Sequence, residues 1–412
     1  MNQFRQYDPR KDKKAIRRIW REVGWLGKGK DKKKAMDLVV ECGRALVAEV
    51  QGEAECLVLS APGSLRYLTE ELPFAAVTNV TTSRVARKQG LASHLTARLV
   101  AEDALGGALV SGLGFFEQGY YDQLGFGVGG YEHWLGFDPA QLRLERRARV
   151  PRRLTVADWK VIHASRLARL RGHGALNLFP TALSRSEMIW TTEGFGLGYY
   201  DGPSGELTHH LWLNNGAKEN GPYNVRWSSY QTYDQFLELL ALLKSLGDQV
   251  RLVRLREPQG IQLQDFLKQP FRFRQLTEKA KYENVMKATA YWQMRINDLP
   301  ACLAKTRLRG ETLRFNLRLT DPIAHYLDED APWRGVGGEY RVTLGPESAA
   351  ETGTDSALPM LTASVNAFTR LWLGVRPATG LAVSDDLAGP PELLEALDWA
   401  LRLPEPKPGW DF

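Results

Sequence analysis

A mixed α/β (α+β) protein of three units is what the 412-residue sequence predicts. Three observations predict it. Short segments alternating at period two are interleaved with longer ones whose apolar residues recur every three or four positions, the marks of strand and helix. The order helix, strands, helix, strand recurs in a second stretch of chain, beyond an arginine- and proline-rich segment. A third region, from about Trp292, alternates in T-L-R-F-N-L-R-L (Thr312 to Leu319), as a half-buried antiparallel strand does. The units divide as residues 1–142, 143–290 and 291–412.

In the first unit, Ala15, Ile16, Ile19, Trp20 and Val23 mark one face of a helix. Segments 44–50 and 55–60, joined by a turn at Gly52, form a hairpin. Segment 75–82 is a strand leading through a basic turn into a long helix. That helix carries Leu91, Leu95 and Leu99 on one face and stops at Gly106-Gly107. Segment 108–113 reads as a buried strand, and 128–135 as the last strand of the unit. Arg143 to Arg153 reads as a linker. In the second unit, a turn at 200–206, a helix at 234–246 and a strand at 250–255 repeat the earlier order, as a degenerate duplication would. In the third, 340–344 pairs with 312–319, and 391–401 is a closing helix.

The net charge is +6, much of it from K-G-K-D-K-K-K (Lys28 to Lys34) and R-L-E-R-R-A-R-V-P-R-R (Arg143 to Arg153). Both read as solvated, mobile basic segments. No aromatic residues interleave with them as stacking platforms, so nucleic acid is not an expected partner. No apolar run approaches the roughly 18 residues that span a bilayer, so no membrane association is expected. The segment M-N-Q-F-R-Q-Y-D-P-R lacks the apolar core of a signal peptide. Cys42, Cys56 and Cys302 are far apart and read as free thiols of a reducing cytoplasm. Seven scattered histidines, His209-His210 among them, show no ligand spacing, and no metal is expected.

The strongest motif is R-K-Q-G-L-A (Arg87 to Ala92), placed between a strand and a helix. A helix N-terminus offers unpaired N–H groups and positive partial charge. Gly90 lets backbone approach a phosphate, Ala92 keeps the first turn free of bulk, and Arg87 and Lys88 add cationic donors. The pattern is neither a Walker loop nor a dinucleotide fingerprint. A second motif, E-Q-G-Y-Y-D-Q-L-G-F-G, spans Glu117 to Gly127.

After the strand V-T-N-V-T-T-S, the first motif resembles the acetyl-CoA pyrophosphate loop of GNAT acetyltransferases, and the second their tyrosine-bearing turn. The whole chain resembles the Eis-like (enhanced intracellular survival) N-acetyltransferases. F-T-R-L-W-L-G-V-R-P-A-T-G-L-A (Phe368 to Ala382) is similar to a segment of that family, and the chain finishes, as its members do, on an acidic residue and phenylalanine, Asp411-Phe412. The resemblance implies an N-terminal GNAT domain, a second GNAT-like domain without the cofactor motif, and a sterol-carrier-protein-like C-terminal domain. It implies acetyl-CoA as co-substrate and a homohexamer. Val80, Thr81 and Thr82 would bond the pantetheine arm. Arg87, Lys88, Gln89, Gly90, Leu91, Ala92 and Ser93 would hold the pyrophosphate, and Phe116 and Glu117 would line the cofactor channel. Tyr121 matches the general acid and the terminal carboxylate of Phe412 the general base, with Asp411 binding the amine.

The chemistry fits those roles. An alkylamine with a pKa near 10.4 is protonated at neutral pH and must lose a proton before it attacks. The departing thiolate is stabilised by a proton from a phenol. The expected reaction is direct acetyl transfer to a primary amine: a small amine, an aminoglycoside or a peptide lysine. Lys88-Gln89 stands where the family usually carries more arginine, and the Lys28 to Lys34 rim would repel polycationic aminoglycosides. The rival is a lipid- or hydrophobe-binding protein that uses its third unit and keeps a vestigial first lobe; the loop, Tyr121 and Phe412 together argue against it.

Overall fold

The computed structural model describes residues 3–27, 29–215, 220–270 and 283–411. The chain opens with β1 (Gln3–Gln6), α1 (Pro9–Glu22), α2 (Lys30–Val40), β2 (Arg44–Val50), β3 (Glu53–Tyr67), β4 (Glu70–Thr82), α3 (Leu91–Leu105), β5 (Val110–Gly114), β6 (Gly127–Val128) and β7 (Glu132–Phe137). It continues with β8 (Arg152–Leu154), α4 (Trp159–Leu167), β9 (Leu176–Leu178), α5 (Thr181–Trp190), β10 (Gly194–Tyr199), β11 (His209–Asn214), β12 (Tyr223–Ser229), α6 (Tyr233–Ser245), β13 (Val253–Arg256), β14 (Val285–Thr289) and β15 (Trp292–Ile296). The remainder holds α7 (Leu299–Ala304), β16 (Leu313–Thr320), β17 (Gly338–Leu344), β18 (Ala349–Thr352), β19 (Met360–Ser364), α8 (Val365–Trp372), α9 (Ala378–Ser384), β20 (Leu387–Ala388) and α10 (Pro391–Ala400).

Local signals set these boundaries as physical chemistry requires. Asp8 caps α1 by accepting from the Arg10 amide, with Pro9 at the first helical position. Thr232 caps α6, and α3 stops at Gly106. The apolar face read for the first helix is buried at Ile16, Ile19 and Trp20. The expected pairing of Thr312–Leu319 with Tyr340–Leu344 is present, Leu317 opposite Tyr340.

Three sheets result, in the orders β1-β2-β3-β4-β5-β15-β6 with β9 added on β3, β14-β7-β13-β12-β11-β10-β8, and β18-β17-β16-β19-β20. In each of the first two, a helix joins one parallel pair: β4–α3–β5 and β12–α6–β13. The strand beside that pair comes from the other half of the chain. β15 lies between β5 and β6, and β7 lies between β13 and β14. Because β6 runs into β7 and β14 into β15, the chain crosses between sheets at residues 129–131 and again at 290–291. The crossings pass in contact. The Gly129 amide donates to the Trp292 carbonyl at 2.9 Å, and a Cβ at Gly129 would lie 2.2 Å from the Trp292 ring.

This exchange corrects the reading of 128–135 as one strand closing the first unit. Val128 ends β6 in the first sheet, whereas Glu132–Leu135 belongs to β7 in the second, because β13 offers β7 a long antiparallel edge. Trp292, read as the start of the third unit, is a central strand residue of the first sheet. The basic runs also differ from expectation. Lys30–Lys34 forms the start of α2; Lys28 lies outside the described residues. Arg149 is no free linker residue: it pairs with Asp201 and Glu238, and Arg146 pairs with Asp234.

The third sheet packs on the first through one continuous core. Tyr67 of β3 stacks on Trp372 of α8 at 4.4 Å and donates to its carbonyl. Arg295 of β15 and Asp321 form a buried ion pair at 2.7 Å whose carboxylate also accepts from the Val336 amide. Such a pair needs all its hydrogen bonds satisfied to be tolerated, and here they are. No helix among the described residues is long and apolar enough to cross a membrane.

If the exchanged strands tie the sheets together, they unfold together. Trp292→Ala should cost about 3–5 kcal/mol and lower a single urea transition seen identically by near-UV and far-UV circular dichroism. Two separated transitions would contradict the interlock.

Candidate active site

The site begins where β4 and β5 part. Their parallel pairing runs from Phe74 opposite Val110 to Val77 opposite Leu113 and then stops. Beyond it, β4 carries one extra residue against β3: Leu57 faces Thr81 while Leu59 faces Thr78. Asn79 takes φ +54° there. Such a bulge bends its strand and turns it away from a neighbour. Thr78 to Thr82 therefore keep β3 as partner and present their other backbone edge to an open wedge. Val80 lines a cleft at this wedge; Thr81 is buried and the Thr82 hydroxyl contacts Cys56 Sγ at 3.3 Å.

The basic turn follows directly. Arg87, Lys88, Gln89 and Gly90 are exposed. Lys88 and Gly90 both have positive φ, +60° and +74°, so the loop curls tightly into α3. The helix starts without a side-chain cap and without an acidic residue in its first turn, leaving its first amides free for an anion. Leu91 is buried and Ala92 half-buried. Ser93 is turned inward and hydrogen-bonded to the Tyr120 hydroxyl at 3.2 Å.

Tyr120 and Tyr121 have different surroundings. Tyr120 supports the start of α3. Tyr121 packs edge-on against Tyr120 and Phe126 and lines the cleft at the wedge, with no hydrogen bond to its hydroxyl among the described residues. Burial, helped by its neighbours Tyr120 and Cys56, holds the Tyr121 phenol well above the ordinary value, so it stays protonated. Phe116 projects into solvent between two clefts and lines both; Glu117 is exposed and lines neither.

Those clefts, of about 980 and 990 Å³, meet at Phe116, Arg226, Arg256 and Asp411. The tail reaches this junction along a built path. The Leu176 amide donates to Pro408, the Lys407 amide to His173, and Trp410, 1% exposed, donates to Glu187 while the Arg166 guanidinium stacks 3.8 Å from its ring. Gly409 turns the chain at φ +62°. Asp411 Oδ1 then accepts from both Arg256 and the Tyr291 hydroxyl. Burial works to raise the Asp411 pKa, but the charge and hydrogen bond of Arg256 outweigh it and keep the carboxylate ionised. Its charge is therefore already balanced, which the sequence did not foresee. Phe412 lies outside the described residues.

Several lining groups were missed because the exchange brings them in. Trp134 and Glu132 come from β7, Arg254 and Arg256 from β13, Tyr291 from the crossing. Glu132 is 1% exposed, with neither carboxylate oxygen hydrogen-bonded among the described residues, and burial raises its pKa against the pull of Arg256. The alternation of V-R-L-R was the available signal that Arg254 and Arg256 share a face. The fold also brings Asp201 and Glu238 to His209, with donor atoms within 4.8 Å of one another. Arg149 pairs with both carboxylates, which makes this an ion-pair network.

Comparison with known proteins follows the same lines. Residues 7–129 match the acetyltransferase (GNAT) domain family. A search of curated proteins gave no match. Among solved structures, a conserved protein from Enterococcus faecalis V583 is similar at 18% identity and TM-score 0.79, with all of both chains covered. A GCN5-related N-acetyltransferase from Kribbella flavida is similar at 18% identity and TM-score 0.73, covering 100% of this chain and 99% of that one. Eis1 from Mycobacterium abscessus is similar at 16% identity and TM-score 0.76 over all of both chains. At such identities the likeness establishes the fold. With the acetyltransferase domain at residues 7–129 inside that fold, the protein is an acetyltransferase.

Proposed function

We propose that the protein moves an acetyl group from acetyl-CoA directly to a primary amine. The observation that carries this reading is the wedge beyond Val77, which opens on a Tyr121 hydroxyl with no hydrogen bond among the described residues and continues into a cleft closed by Asp411. The freed edge of Val80, Thr81 and Thr82 would bond the pantetheine arm, and the amides of the α3 start, with Arg87 and Lys88, would hold the pyrophosphate. The amine would enter from the junction of the clefts. Its proton would pass to a carboxylate at the tail; the terminal carboxylate of Phe412, one residue beyond Asp411, is the proposed base. As nitrogen bonds to the acetyl carbon and the C–S bond breaks, the Tyr121 proton would go to the departing thiolate. Asp411, whose hydrogen bonds among the described residues both fall on Oδ1, would offer Oδ2 to the amine.

The Eis-like organisation is part of the proposal. The parallel pair and crossover helix in each of the first two sheets support a duplicated GNAT-like unit, and we assign the third sheet with its helices a sterol-carrier-like role as the element that brings the tail back. A small amine or a peptide lysine fits better than a polycationic aminoglycoside, given the cationic groups around the cleft. Acetyl-CoA turnover across diverse amines, read by thiol release, tests the reading; no transfer to any amine would refute it.

Three substitutions test its parts. Gly90 has room for a side chain, its Cβ position lying 3.6 Å from His94, but its φ of +74° strains one, so Gly90→Asp should cost about 1 kcal/mol of stability, keep the fold, and sharply weaken acetyl-CoA binding in calorimetry. Tyr121→Phe should cut turnover about 10²-fold or more while Tyr120→Phe does little; equal activities would remove the proton-donor role. Adding one glycine after Phe412 should abolish most transfer while acetyl-CoA affinity stays unchanged, and full activity in that variant would place the base elsewhere.

A further inference from the structure

The cleft wall contributed by the second sheet is cationic. Arg226 of β12, Arg254 and Arg256 of β13 and Lys287 of β14 line the cleft that Tyr121 also lines, against Asp411 as the one carboxylate among its described lining residues. Asp411 is engaged by Arg256 and Tyr291. Among the described residues, Arg254 has only the Asn224 side-chain carbonyl, at 3.3 Å, and Arg226 and Lys287 form no ion pair, although the Arg226 charge helps keep Asp411 ionised. Other arginines of the second unit do have carboxylate partners: Arg166 with Glu187, Arg171 with Glu71, Arg149 with Asp201 and Glu238.

Arg226 is also placed by a special device. Trp212 faces Trp227 and Leu213 faces Val225, so Arg226 is the extra residue of a bulge in β12. Bulges re-aim a side chain and recur beside active sites. β12 opens the parallel pair of the second sheet as β4 opens that of the first, and β4 is bulged at the wedge. The two bulges face one cleft.

Resting on the acetyl-transfer reading above, we infer that the acceptor carries an acidic group, carboxylate or phosphate, beside its amine, and that Arg226 and Arg254 bind it. Guanidinium groups pair with such oxygens in two parallel hydrogen bonds. Asp411 Oδ2 and the two arginines then give the cleft the complement of a zwitterion: an anionic oxygen for the amine and paired cations for the acid. The phosphates of acetyl-CoA are the other source of such an anion.

Two matched pairs of acceptors test this: L-phenylalanine against its amide, and 2-aminoethyl phosphate against ethanolamine. The amide's less basic amine biases that comparison against the expectation. With the full chain, kcat/KM for the acidic member of at least one pair should exceed that of its partner tenfold or more. Arg226→Ala with Arg254→Ala should bring the ratio near one, through KM, while acetyl-CoA affinity in calorimetry is unchanged; the double Lys variant should restore part of the preference. If the double variant is unstable, Arg226→Gln alone, at an exposed position, should still lower the ratio. Equal rates within both pairs, a preference for the uncharged members, no turnover of any of the four, or a preference that survives the double variant would overturn the inference. A loss of acetyl-CoA affinity instead would assign the arginines to the cofactor. Acetyl-CoA that fails to bind the wild-type chain would refute the underlying reading itself, separately from these outcomes.

Discussion

Reciprocal exchange of two strands locks the two larger sheets into one frame. Each of the first two sheets is incomplete within its own stretch of chain, and each is completed by a strand from the other. The crossings at Gly129 and Trp292 are in contact, so neither sheet can shift without the other. The consequence for function is positional. A wedge opened by a bulge in β4 faces a wall built from β12, β13 and β14, and the distance between them is fixed by backbone hydrogen bonds instead of by a flexible interface. Catalytic geometry tolerates little looseness, because about an ångström of misplacement can cost on the order of 10²-fold in rate.

The tail is the second fixed element. Buried Trp410, the Pro408 and Lys407 backbone bonds and the Arg256–Asp411 contact hold residues 407–411 between segments far apart in sequence. Arg166 serves the same end, sandwiched between Trp227 and Trp410 and paired with Glu187. The cost of ordering a chain end is met here by aromatic burial and charge-assisted hydrogen bonds. Glu132, desolvated and without a hydrogen bond, is the one lining carboxylate for which the described fold supplies no partner.

Much of this was legible in the sequence, and the reasons differ by element. The helix at Leu91–Leu105 and the basic turn before it carried periodicity, a glycine start and a glycine stop, all local signals. Tyr121 is singled out by the family resemblance alone, and the structure places it at the cleft while Tyr120 contacts Ser93. What could not be read is non-local. Nothing in V-G-G-Y-E-H-W-L says that its two ends pair in different sheets, because period-two alternation does not name a partner strand. Arg226 looked like an ordinary strand residue, since a bulge depends on the register of β11. Asp411 was expected to offer free charge, but its neutraliser, Arg256, is 155 positions away in the chain.

The exchanged pair of sheets is proposed to build one acetyl-transfer site between them. The decisive experiment is a crystal structure with acetyl-CoA bound. Acetyl-CoA should lie with its pyrophosphate at the amides of Gly90–Ser93, its pantetheine arm along Val80–Thr82 in the wedge, and its thioester within hydrogen-bond reach of the Tyr121 hydroxyl, the acetyl group facing Arg226 and Asp411. Acetyl-CoA bound anywhere else, or bound with its thioester remote from Tyr121, would contradict it.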